Sequence, residues 1–347
     1  MSAYTATDIP NAVQLTETAH AMTARGRGIL AADESNATMD SRLAKIGLDG
    51  TPEVRMAYRQ ALLETPALGD YISGVILFDE TIRRTTTTGI RFIDLVKNAD
   101  IIPGIKVDTG TKPLSNSPDE KVTEGLDGLA DRLKEYAEMG ARFAKWRAVI
   151  TIGDDLPSAK AVHVNAHALG RYAATCQAAG IVPIVEPEVL MIGGHSIERA
   201  EEVTTTTLRA VFDELAAQDV LLEGIVLKPS MVVPGDSASD QVSVEQVAEA
   251  TLRVLYRTVP AAVPGIAFLS GGQSDEAATE HLQAMNAGQT HPWSLTFSYG
   301  RALIASALET WRGEEGNAGA AQAVLHERAK ANAAASAGTY KKESVPA

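Results

Sequence analysis

Short runs of apolar and β-branched residues recur along the chain, and segments of helical composition separate them. A short apolar run bounded by turn residues is typical of a strand that is buried on both faces. The predicted strands are 28–33, 72–78, 104–107, 142–147, 182–186, 224–228, 265–270 and 295–299. The predicted helices between them include 53–64, 126–139, 158–179, 197–217, 243–258 and 274–287.

Eight strands that alternate with helices predict an α/β fold of the (β/α)8 TIM-barrel type. The connection between the second and third strands fits this pattern least well, because the threonine-rich segment 85–88 is predicted as loop before a short helix near 92–97. A doubly wound open sheet is the alternative. Such a sheet usually carries a glycine-rich phosphate turn after its first strand, whereas here Gly26 and Gly28 precede or open the strand.

The chain has 347 residues, which exceeds the roughly 250 residues of a typical barrel. The surplus is predicted as an N-terminal helix before Arg25 and an alanine-rich tail that is helical over 320–337. No linker and no internal repeat divides the sequence. We therefore expect a single domain over 1–347, with a barrel core at about 25–315 and a C-terminal helix and tail at 316–347.

The bulk composition narrows the class of protein. The hydrophobic fraction of 45% and the charged fraction of 22% are typical of a globular protein. No apolar run approaches the roughly 20 residues of a membrane span, and the first residues show no targeting peptide. A net charge of −13 argues against nucleic-acid binding. Cys176 is the only cysteine, which excludes intrachain disulfides and cysteine metal clusters. We expect a cytoplasmic protein.

Lysines close three of the predicted strands, at Lys106, Lys145 and Lys228. An unpaired ammonium group in an apolar environment is costly. A single such lysine would more often extend to solvent or pair with a carboxylate, but three at matching positions predict a cationic pocket for an anion. Lys228 is the candidate nucleophile, because burial and a neighbouring cation such as Lys145 would lower its pKa and increase the fraction of neutral amine.

Carboxylates also close strands in the predicted barrel. Glu186 and Glu188 alternate along one strand and point to the same side, where they could serve as acid and base for carbinolamine chemistry. An ion pair with Lys145 or Arg147 is the structural alternative for them. Asp33 ends the first strand and is a candidate second base, although such a residue alone is more often a helix cap.

Two groups of polar residues are candidate anion sites. Loops after the seventh and eighth strands commonly bind phosphate in barrels through backbone N–H groups and a helix N-terminus. The first group is Ser270, Gly271, Gly272, Ser298, Gly300 and Arg301; the second is Ser35, Thr38, Arg42 and Lys106. Two phosphate sites would imply a bisphosphate. His163 and His167 lie one helical turn apart, but the sequence shows no acidic partner to complete a metal site, so no metal is predicted.

Six sequence motifs resemble those of class I fructose-bisphosphate aldolase and follow one another in the same order. The resemblance extends over nearly the whole chain. The motifs are Gly28-Ile-Leu-Ala-Ala-Asp-Glu-Ser35, Phe143-Ala-Lys-Trp-Arg147, Ile181-Val-Pro-Ile-Val-Glu-Pro-Glu188, Leu227-Lys-Pro229, Phe268-Leu-Ser-Gly-Gly-Gln-Ser274 and Leu295-Thr-Phe-Ser-Tyr-Gly-Arg-Ala-Leu303. The resemblance implies reversible cleavage of fructose 1,6-bisphosphate to dihydroxyacetone phosphate and glyceraldehyde 3-phosphate. It also implies a homotetramer that acts on phosphorylated sugars without a cofactor or metal.

The resemblance implies a role for each matching residue. Lys228 would form the Schiff base, Glu186 would be the main acid and base with Lys145 and Glu188 assisting, and Asp33 would take the proton of the C4 hydroxyl. The C1 phosphate would be held by Ser270, Gly271, Gly272, Ser298, Gly300 and Arg301. The C6 phosphate would be held by Ser35, Thr38, Arg42 and Lys106, with Arg147 near the sugar hydroxyls.

The tail departs from the animal members of the family, which end in a tyrosine that assists proton exchange on the enamine. Here the sequence after Tyr340 reads Lys-Lys-Glu-Ser-Val-Pro-Ala, and Tyr340 matches an earlier tyrosine of the family. We therefore expect Glu186, Glu188 or water to protonate the enamine. Deletion of 341–347 is expected to leave cleavage largely intact.

Other functions stay open from the sequence alone. The chain could be another Schiff-base barrel, such as a single-phosphate aldolase or a transaldolase-like enzyme, and the second anion site is the feature that distinguishes these. It could also be a non-catalytic scaffold with the same fold, although intact Lys228, Glu186 and Asp33 argue against that. A metal-dependent aldolase is disfavoured because a histidine ligand set is missing.

Overall fold

A computed structural model of the chain describes residues 11–239 and 242–342. Its strands are β1 Gly28–Ala31, β2 Ile72–Leu77, β3 Ile102–Lys106, β4 Thr111–Leu114, β5 Ser117–Thr123, β6 Phe143–Ile150, β7 Val182–Val189, β8 Val226–Leu227, β9 Gly265–Phe268 and β10 Ser294–Tyr299. All but β4 and β5 form a closed barrel of eight strands, in which β10 returns to pair with β1. Every pairing in the barrel is parallel, so the predicted TIM barrel is confirmed.

Helices surround the barrel and cover its ends. They are α1 Ala12–Met22, α2 Asn36–Lys45, α3 Pro52–Leu63, α4 Asp79–Ile82, α5 Phe92–Asn98, α6 Leu129–Met139, α7 Ala159–Ala178, α8 Ile197–Ala217, α9 Val244–Thr258, α10 Asp275–Asn286, α11 Arg301–Trp311 and α12 Ala318–Ser336. None of the helices in the described part of the chain is both long and apolar enough to cross a membrane.

The helices that follow β6 to β9 begin at serines, which fixes where each strand–loop–helix unit turns. Ser158, Ser196, Ser243 and Ser274 are the N-cap residues of α7, α8, α9 and α10, and each side chain accepts a hydrogen bond from a backbone N–H of the first turn. Such caps satisfy donors that the helix itself leaves free, and each typically contributes about 1 kcal/mol. Local sequence thus sets the length of the loops at the carboxyl ends of the strands.

The interior of the barrel is apolar at the end where the strands begin. Inward-facing residues such as Ile29, Phe143 and Ile184 form one cluster with three side chains of α1, which are Leu15, Ala19 and Met22. The Ser73 hydroxyl at the start of β2 donates to the Met22 carbonyl over 2.6 Å, which places the end of α1 against the beginning of the strands. Helix α1 therefore closes the floor of the barrel, and the polar strand ends lie at the opposite mouth.

Some predicted boundaries differ from the structure for local reasons. The segment 224–228 forms only a two-residue strand, because 222–224 is a 3₁₀ turn and Pro229 follows Lys228. The helix predicted over 126–139 begins at Leu129, since its N-cap Gly128 has a left-handed φ of 66°. Helix α2 and the β4–β5 hairpin lay outside the predicted elements. Both are rich in polar residues and lack a clear apolar period.

Candidate active site

Side chains at alternate positions of β6 and β7 face the barrel interior, and the last of them are charged groups at the barrel mouth. On β6 the inward positions are Phe143 in the floor cluster, then Lys145 and Arg147, which line the cavity above it. On β7, Ile184 belongs to the floor, and Glu186 and Glu188 follow at alternate positions above it. Because successive residues of a strand face opposite sides, each strand contributes apolar groups below and ionisable groups above.

Four ionisable side chains form a continuous chain across the mouth. The Lys228 Nζ lies 3.4 Å from Glu186 Oε1, and the Lys145 Nζ lies 3.3 Å from Glu186 Oε2. Lys145 also donates to Asp33 Oδ2 over 2.9 Å. All four are buried, with 3% of Lys228 and of Glu186 exposed to solvent. Lys145 and Glu186 lie on β6 and β7, Lys228 directly follows β8, and Asp33 stands two residues after β1. Four strand–loop segments thus bring these groups to one mouth, as the strand-end argument predicted.

The two lysines of this chain have opposite electrostatic environments. Burial lowers the pKa of Lys228 below that of an ordinary lysine; the Glu186 carboxylate opposes the shift, and the Lys145 ammonium adds to it. Burial also disfavours the charge of Lys145, but Asp33 and Glu186 outweigh it and raise the pKa of Lys145 well above its usual range. The geometry therefore makes Lys145 a fixed cation and Lys228 the lysine that can lose its proton.

Asp33 is held in its ionised form. Burial acts to raise the pKa of this carboxyl, but the ammonium groups of Lys145 and Lys228 and the hydrogen bond from Lys145 together bring it well below its usual range. A carboxylate that stays ionised in a buried site can accept a proton from a hydroxyl group placed against it. Asp33 is thus suited to the role of a base, which its position alone left open.

One part of the mouth is a cavity of about 620 Å³ that contains the first predicted anion site. Its walls carry Lys228 and Glu186, and also Ser270, Gly271, Ser298, Gly300 and Arg301. Gly271 and Gly272 have left-handed φ values of 54° and 103°, which a side chain would strain. Gly272 is outside the cavity wall, and a Cβ added to it would lie 3.2 Å from the Met191 sulfur and 3.8 Å from Arg301 Nη2. Among the described residues, the buried Ser298 hydroxyl has no hydrogen-bond partner, so it is available to a ligand.

The adjoining part of the mouth is a cavity of about 790 Å³ that contains the second predicted anion site. Ser35, Thr38, Arg42 and Lys106 all line it. Ser35 caps α2 and its hydroxyl lies 3.0 Å from that of Thr38. The two cavities share Asp33, Lys145 and Arg147, and also Thr38, Arg42 and Gly300, so they form one cleft. Ser35 and Lys106 line only the larger cavity, whereas Ser270 and Arg301 line only the smaller one.

Two carboxylates of the cleft were not among the predicted site residues. Asp108 pairs with Lys106 over 2.7 Å and also accepts from the Gly110 N–H, and Glu34 pairs with Arg42 and with Arg59. For Asp108 the sequence did hold a signal, since it stands two residues after Lys106 and such positions face the same side of an extended chain. For Glu34 the partners come from α2 and α3 and become apparent only in the folded chain.

Arg147 and Glu188 form an ion pair at the rim of the cleft. The Arg147 side chain remains 41% exposed, whereas that of Glu188 is 9% exposed. The sequence left open whether Glu188 would be an acid–base group or an ion-pair partner. The structure shows the ion pair, and it leaves Glu188 facing the same cavity as Lys228.

His163 and His167 do have an acidic neighbour, contrary to the sequence analysis. Glu214 of α8 lies 3.6 Å from the Nδ1 of His163 and 3.0 Å from that of His167. The three residues join α7 to α8 on the outside of the barrel. Within residues 11–239 and 242–342, no group of three or more histidine, cysteine, aspartate or glutamate residues is arranged to hold a metal ion.

Comparison with known proteins agrees with the site. The family model for fructose-bisphosphate aldolase class-I matches residues 14–347. A probable fructose-bisphosphate aldolase class 1 of Xylella fastidiosa is 55% identical over 94% of this chain and 98% of its own. In Arabidopsis thaliana, the chloroplastic fructose-bisphosphate aldolase 3 is 53% identical over 95% of this chain and 84% of its own. The cytosolic fructose-bisphosphate aldolase 4 of the same plant is 51% identical over 91% of this chain and 81% of its own.

A solved structure extends the match to three dimensions. The fructose-bisphosphate aldolase of Plasmodium falciparum, in complex with TRAP and a small-molecule inhibitor, superposes with a TM-score of 0.95. It is 48% identical to this chain, over 96% of this chain and 97% of its own. The chain therefore belongs to the class I fructose-bisphosphate aldolase family, the aldehyde-lyases that cleave fructose 1,6-bisphosphate.

Proposed function

We propose that this chain cleaves fructose 1,6-bisphosphate reversibly through an imine between the substrate ketone and Lys228. The observation that carries the proposal is the position of Lys228: a buried amine with a lowered pKa, 3.4 Å from a carboxylate that can exchange protons with it. The neutral amine attacks the C2 carbonyl to give a carbinolamine. Loss of water then gives the iminium ion, and Glu186 donates the proton that the leaving hydroxyl needs.

Asp33 acts in the step that breaks the carbon–carbon bond. It takes the proton of the C4 hydroxyl, the C4–O bond becomes a carbonyl, and the C3–C4 bond electrons move into the iminium to form an enamine. The aldehyde product leaves, and protonation of the enamine followed by hydrolysis releases dihydroxyacetone phosphate and restores Lys228. Lys145 assists because its contact with Asp33 keeps that carboxylate ionised until the substrate hydroxyl arrives.

Two phosphate sites orient the bond that breaks. The C1 phosphate is assigned to the smaller cavity beside Lys228, with Ser270, Gly271, Gly272, Ser298, Gly300 and Arg301. The C6 phosphate is assigned to the larger cavity, with Ser35, Thr38, Arg42 and Lys106, and Arg147 lies between the two. Binding at both ends fixes C2 against Lys228 and the C4 hydroxyl against Asp33, so remote binding energy serves orientation.

The enamine on Lys228 needs a proton at carbon before it is hydrolysed. We assign this step to Glu186, Glu188 or water, because both carboxylates line the cavity that holds the Lys228 amine. Residues 343–347 of the tail lie outside the described residues. The expectation that deletion of 341–347 leaves cleavage largely intact stays a prediction.

Further properties are proposed on the family resemblance. The iminium ion supplies the electron sink, so the enzyme needs no metal or other cofactor, and activity is expected to survive a chelator. We also propose one domain over 1–347, a homotetramer and a cytoplasmic location, as in the cytosolic plant relative, which is 51% identical; the chloroplastic relative is 53% identical.

Borohydride trapping tests the imine directly. The enzyme is mixed with fructose 1,6-bisphosphate or dihydroxyacetone phosphate, reduced, digested and mapped by mass spectrometry. A substrate adduct on the peptide that contains Lys228 is expected, and the Lys228→Met variant serves as the matched control without an adduct. An adduct on Lys145 or Lys106, or cleavage without any adduct, would refute the assignment.

A further inference from the structure

Helix α12 lies across the back of the C1-phosphate site. It packs against α10 and α11, the two helices that follow β9 and β10, and also against α3. Helix α10 begins at Asp275 and α11 at Arg301. Ser270, Gly271 and Gly272 of the C1-phosphate site lie in the loop before α10, whereas Ser298 is on β10 and Gly300 is the N-cap of α11. That site is therefore divided between two strand–helix units. Their strands β9 and β10 pair in the sheet, but α10 and α11 are separate helices.

Arg328 of α12 bridges the first turns of these two helices. Its Nη2 donates to the Asp275 carbonyl over 2.6 Å and to the Thr279 hydroxyl over 3.0 Å, both in α10. Its Nε donates to the Ala302 carbonyl in α11 over 3.2 Å. The planar guanidinium presents donors in a fixed fork, so one side chain sets the spacing between the two helix N-termini.

The surroundings of Arg328 hold the bridge in place. The Thr279 hydroxyl, which Arg328 contacts, also lies 2.9 Å from the Asn332 side chain one turn further along α12. Asn332 and Thr279 are both fully buried. A second polar link between α10 and α11 is the Ser306 hydroxyl, 3.5 Å from the Asp275 carboxylate. The Arg328 bridge is therefore the shorter and more strongly donating of the two.

We propose that Arg328 is a positioning residue for the phosphate on C1. It acts through the spacing of the α10 and α11 N-termini, without contact to the substrate. The reason is preorganisation: a dianion bound by backbone N–H groups and by Arg301 from two separate helices gains full affinity only if both are already at the right distance. This inference rests on the proposed assignment of the C1-phosphate site.

The test compares Arg328→Met with a control on the same helix. Arg328→Met removes the donors and keeps most of the alkyl chain. Gln322→Met removes the side-chain bond from α12 to the Ala61 carbonyl of α3, which is 3.0 Å long, and it leaves α10 and α11 untouched. For each variant we would measure the melting temperature, kcat and KM with fructose 1-phosphate and with fructose 1,6-bisphosphate, and inhibition by inorganic phosphate.

In Arg328→Met, KM is expected to rise about tenfold, the scale of one charge-assisted hydrogen bond. The rise should be the same for both substrates, because both carry the C1 phosphate, and kcat should change little. Inhibition by inorganic phosphate should weaken in parallel. Gln322→Met is expected to lower the melting temperature with KM unchanged. Arg328→Lys keeps the charge but cannot span both helices as a fork, so an intermediate KM is expected.

A wild-type KM in folded Arg328→Met would overturn the inference and leave Arg328 a purely structural residue. A rise confined to the bisphosphate would overturn it too, since that would place the effect at the C6 phosphate. If Arg328→Met does not fold, Arg328→Lys decides, because a wild-type KM in that variant has the same meaning. Failure of the proposed function is a separate result: the wild-type enzyme would then give no borohydride adduct on Lys228.

Discussion

At the scale of single residues, two lysines of the site differ in protonation because different carboxylates contact them. Lys145 contacts both Asp33 and Glu186, whereas Lys228 contacts only Glu186 and has Lys145 as a neighbouring cation. Burial disfavours the charge of both amines. Asp33 and Glu186 both contact Lys145 and raise its pKa, whereas Lys228 lacks the direct contact with Asp33 and its pKa is lowered by burial and by the Lys145 ammonium. One lysine is thereby fixed as a cation, and the other loses its proton more readily and is the better candidate nucleophile.

Replacement of Lys145 by methionine should move the pH dependence of imine formation. The Lys145 ammonium lowers the pKa of Lys228, so its removal raises that pKa. The neutral amine then forms only at higher pH. We expect the acidic limb of the rate of borohydride-trappable imine formation to shift upward by about one pH unit.

Lys145→Arg is the matched control for this shift. Arginine keeps a positive charge beside Asp33 and Glu186, so the acidic limb should stay close to that of the wild type even if the rate itself falls. If the limb is unmoved in Lys145→Met, then Lys145 does not set the state of Lys228.

Replacement of Lys106 by alanine should discriminate between substrates. The Lys106 ammonium lies in the larger cavity, away from Lys228, and is oriented by the Asp108 carboxylate and carbonyl. Loss of a charge-assisted contact to a C6 phosphate costs about 2 kcal/mol, or roughly 30-fold in KM. We expect this loss with fructose 1,6-bisphosphate and little change with fructose 1-phosphate, both measured by steady-state kinetics.

Lys112→Ala provides the control for Lys106→Ala. Lys112 is an exposed residue of the β4–β5 hairpin and does not line the cleft, but its replacement makes the same change in net charge. It should leave both KM values unchanged. Equal losses with the two substrates in Lys106→Ala would contradict the assignment of this cavity to the C6 phosphate.

At the scale of elements, neighbouring strands fit together through glycines that face aromatic rings. A Cβ added to Gly104 of β3 would overlap the ring of Phe143, which is on β6, and both residues are buried. The ring has no free space into which it can move, because Phe143 is fully buried in the floor cluster. Glycine at this position is therefore required by the neighbouring strand.

Gly104→Ala should destabilise the fold through this overlap. Overpacking of a filled core costs about 1–3 kcal/mol in the free energy of unfolding, measured by urea denaturation. The second-site change Phe143→Leu removes part of the ring and should recover some of that loss in the double variant. Additive losses in the double variant would show that the two residues do not share the same space.

How far the sequence predicted these elements depends on how strongly each one buries an apolar face. The barrel strands and the long helices were predicted to within a few residues, because apolar runs and helical composition are local signals. Helix α2 and the β4–β5 hairpin carry mostly polar residues and gave no such signal. Within the site, strand-end lysines and carboxylates were predicted because parallel strand ends meet at one mouth.

Pairings between distant segments could not be predicted from the sequence in the same way. The contact between Arg328 and Asp275 joins residues that are 53 positions apart, and that between Lys145 and Asp33 joins residues 112 positions apart. No local period encodes such contacts. They follow from which strands and helices become neighbours once the barrel closes, and this is what the structure adds.

At the scale of the whole molecule, the barrel separates stability from catalysis along its axis. The floor contains the fully buried Leu15, Ala19 and Met22 of α1, packed on inward apolar residues of the strands. The mouth contains the ionisable groups and the residues of both proposed anion sites. Substitutions at the carboxyl ends of the strands can thus change substrate binding without disturbing the packing of the core. Substitutions in the core can likewise lower the stability without displacing the catalytic groups.

Leu15→Ala tests this separation. Truncation of a fully buried leucine costs about 2–5 kcal/mol in the free energy of unfolding, because the transfer energy is lost and a cavity remains. Val13 lies on the same helix with 72% of its surface exposed, and Val13→Ala should change stability by less than about 0.5 kcal/mol.

For both variants we expect kcat and KM at 25 °C to stay within about twofold of the wild type, since the floor lies at the opposite end of the strands from Lys228. A large fall in kcat of folded Leu15→Ala, measured well below its melting temperature, would mean that packing at the floor reaches the catalytic groups through the strands.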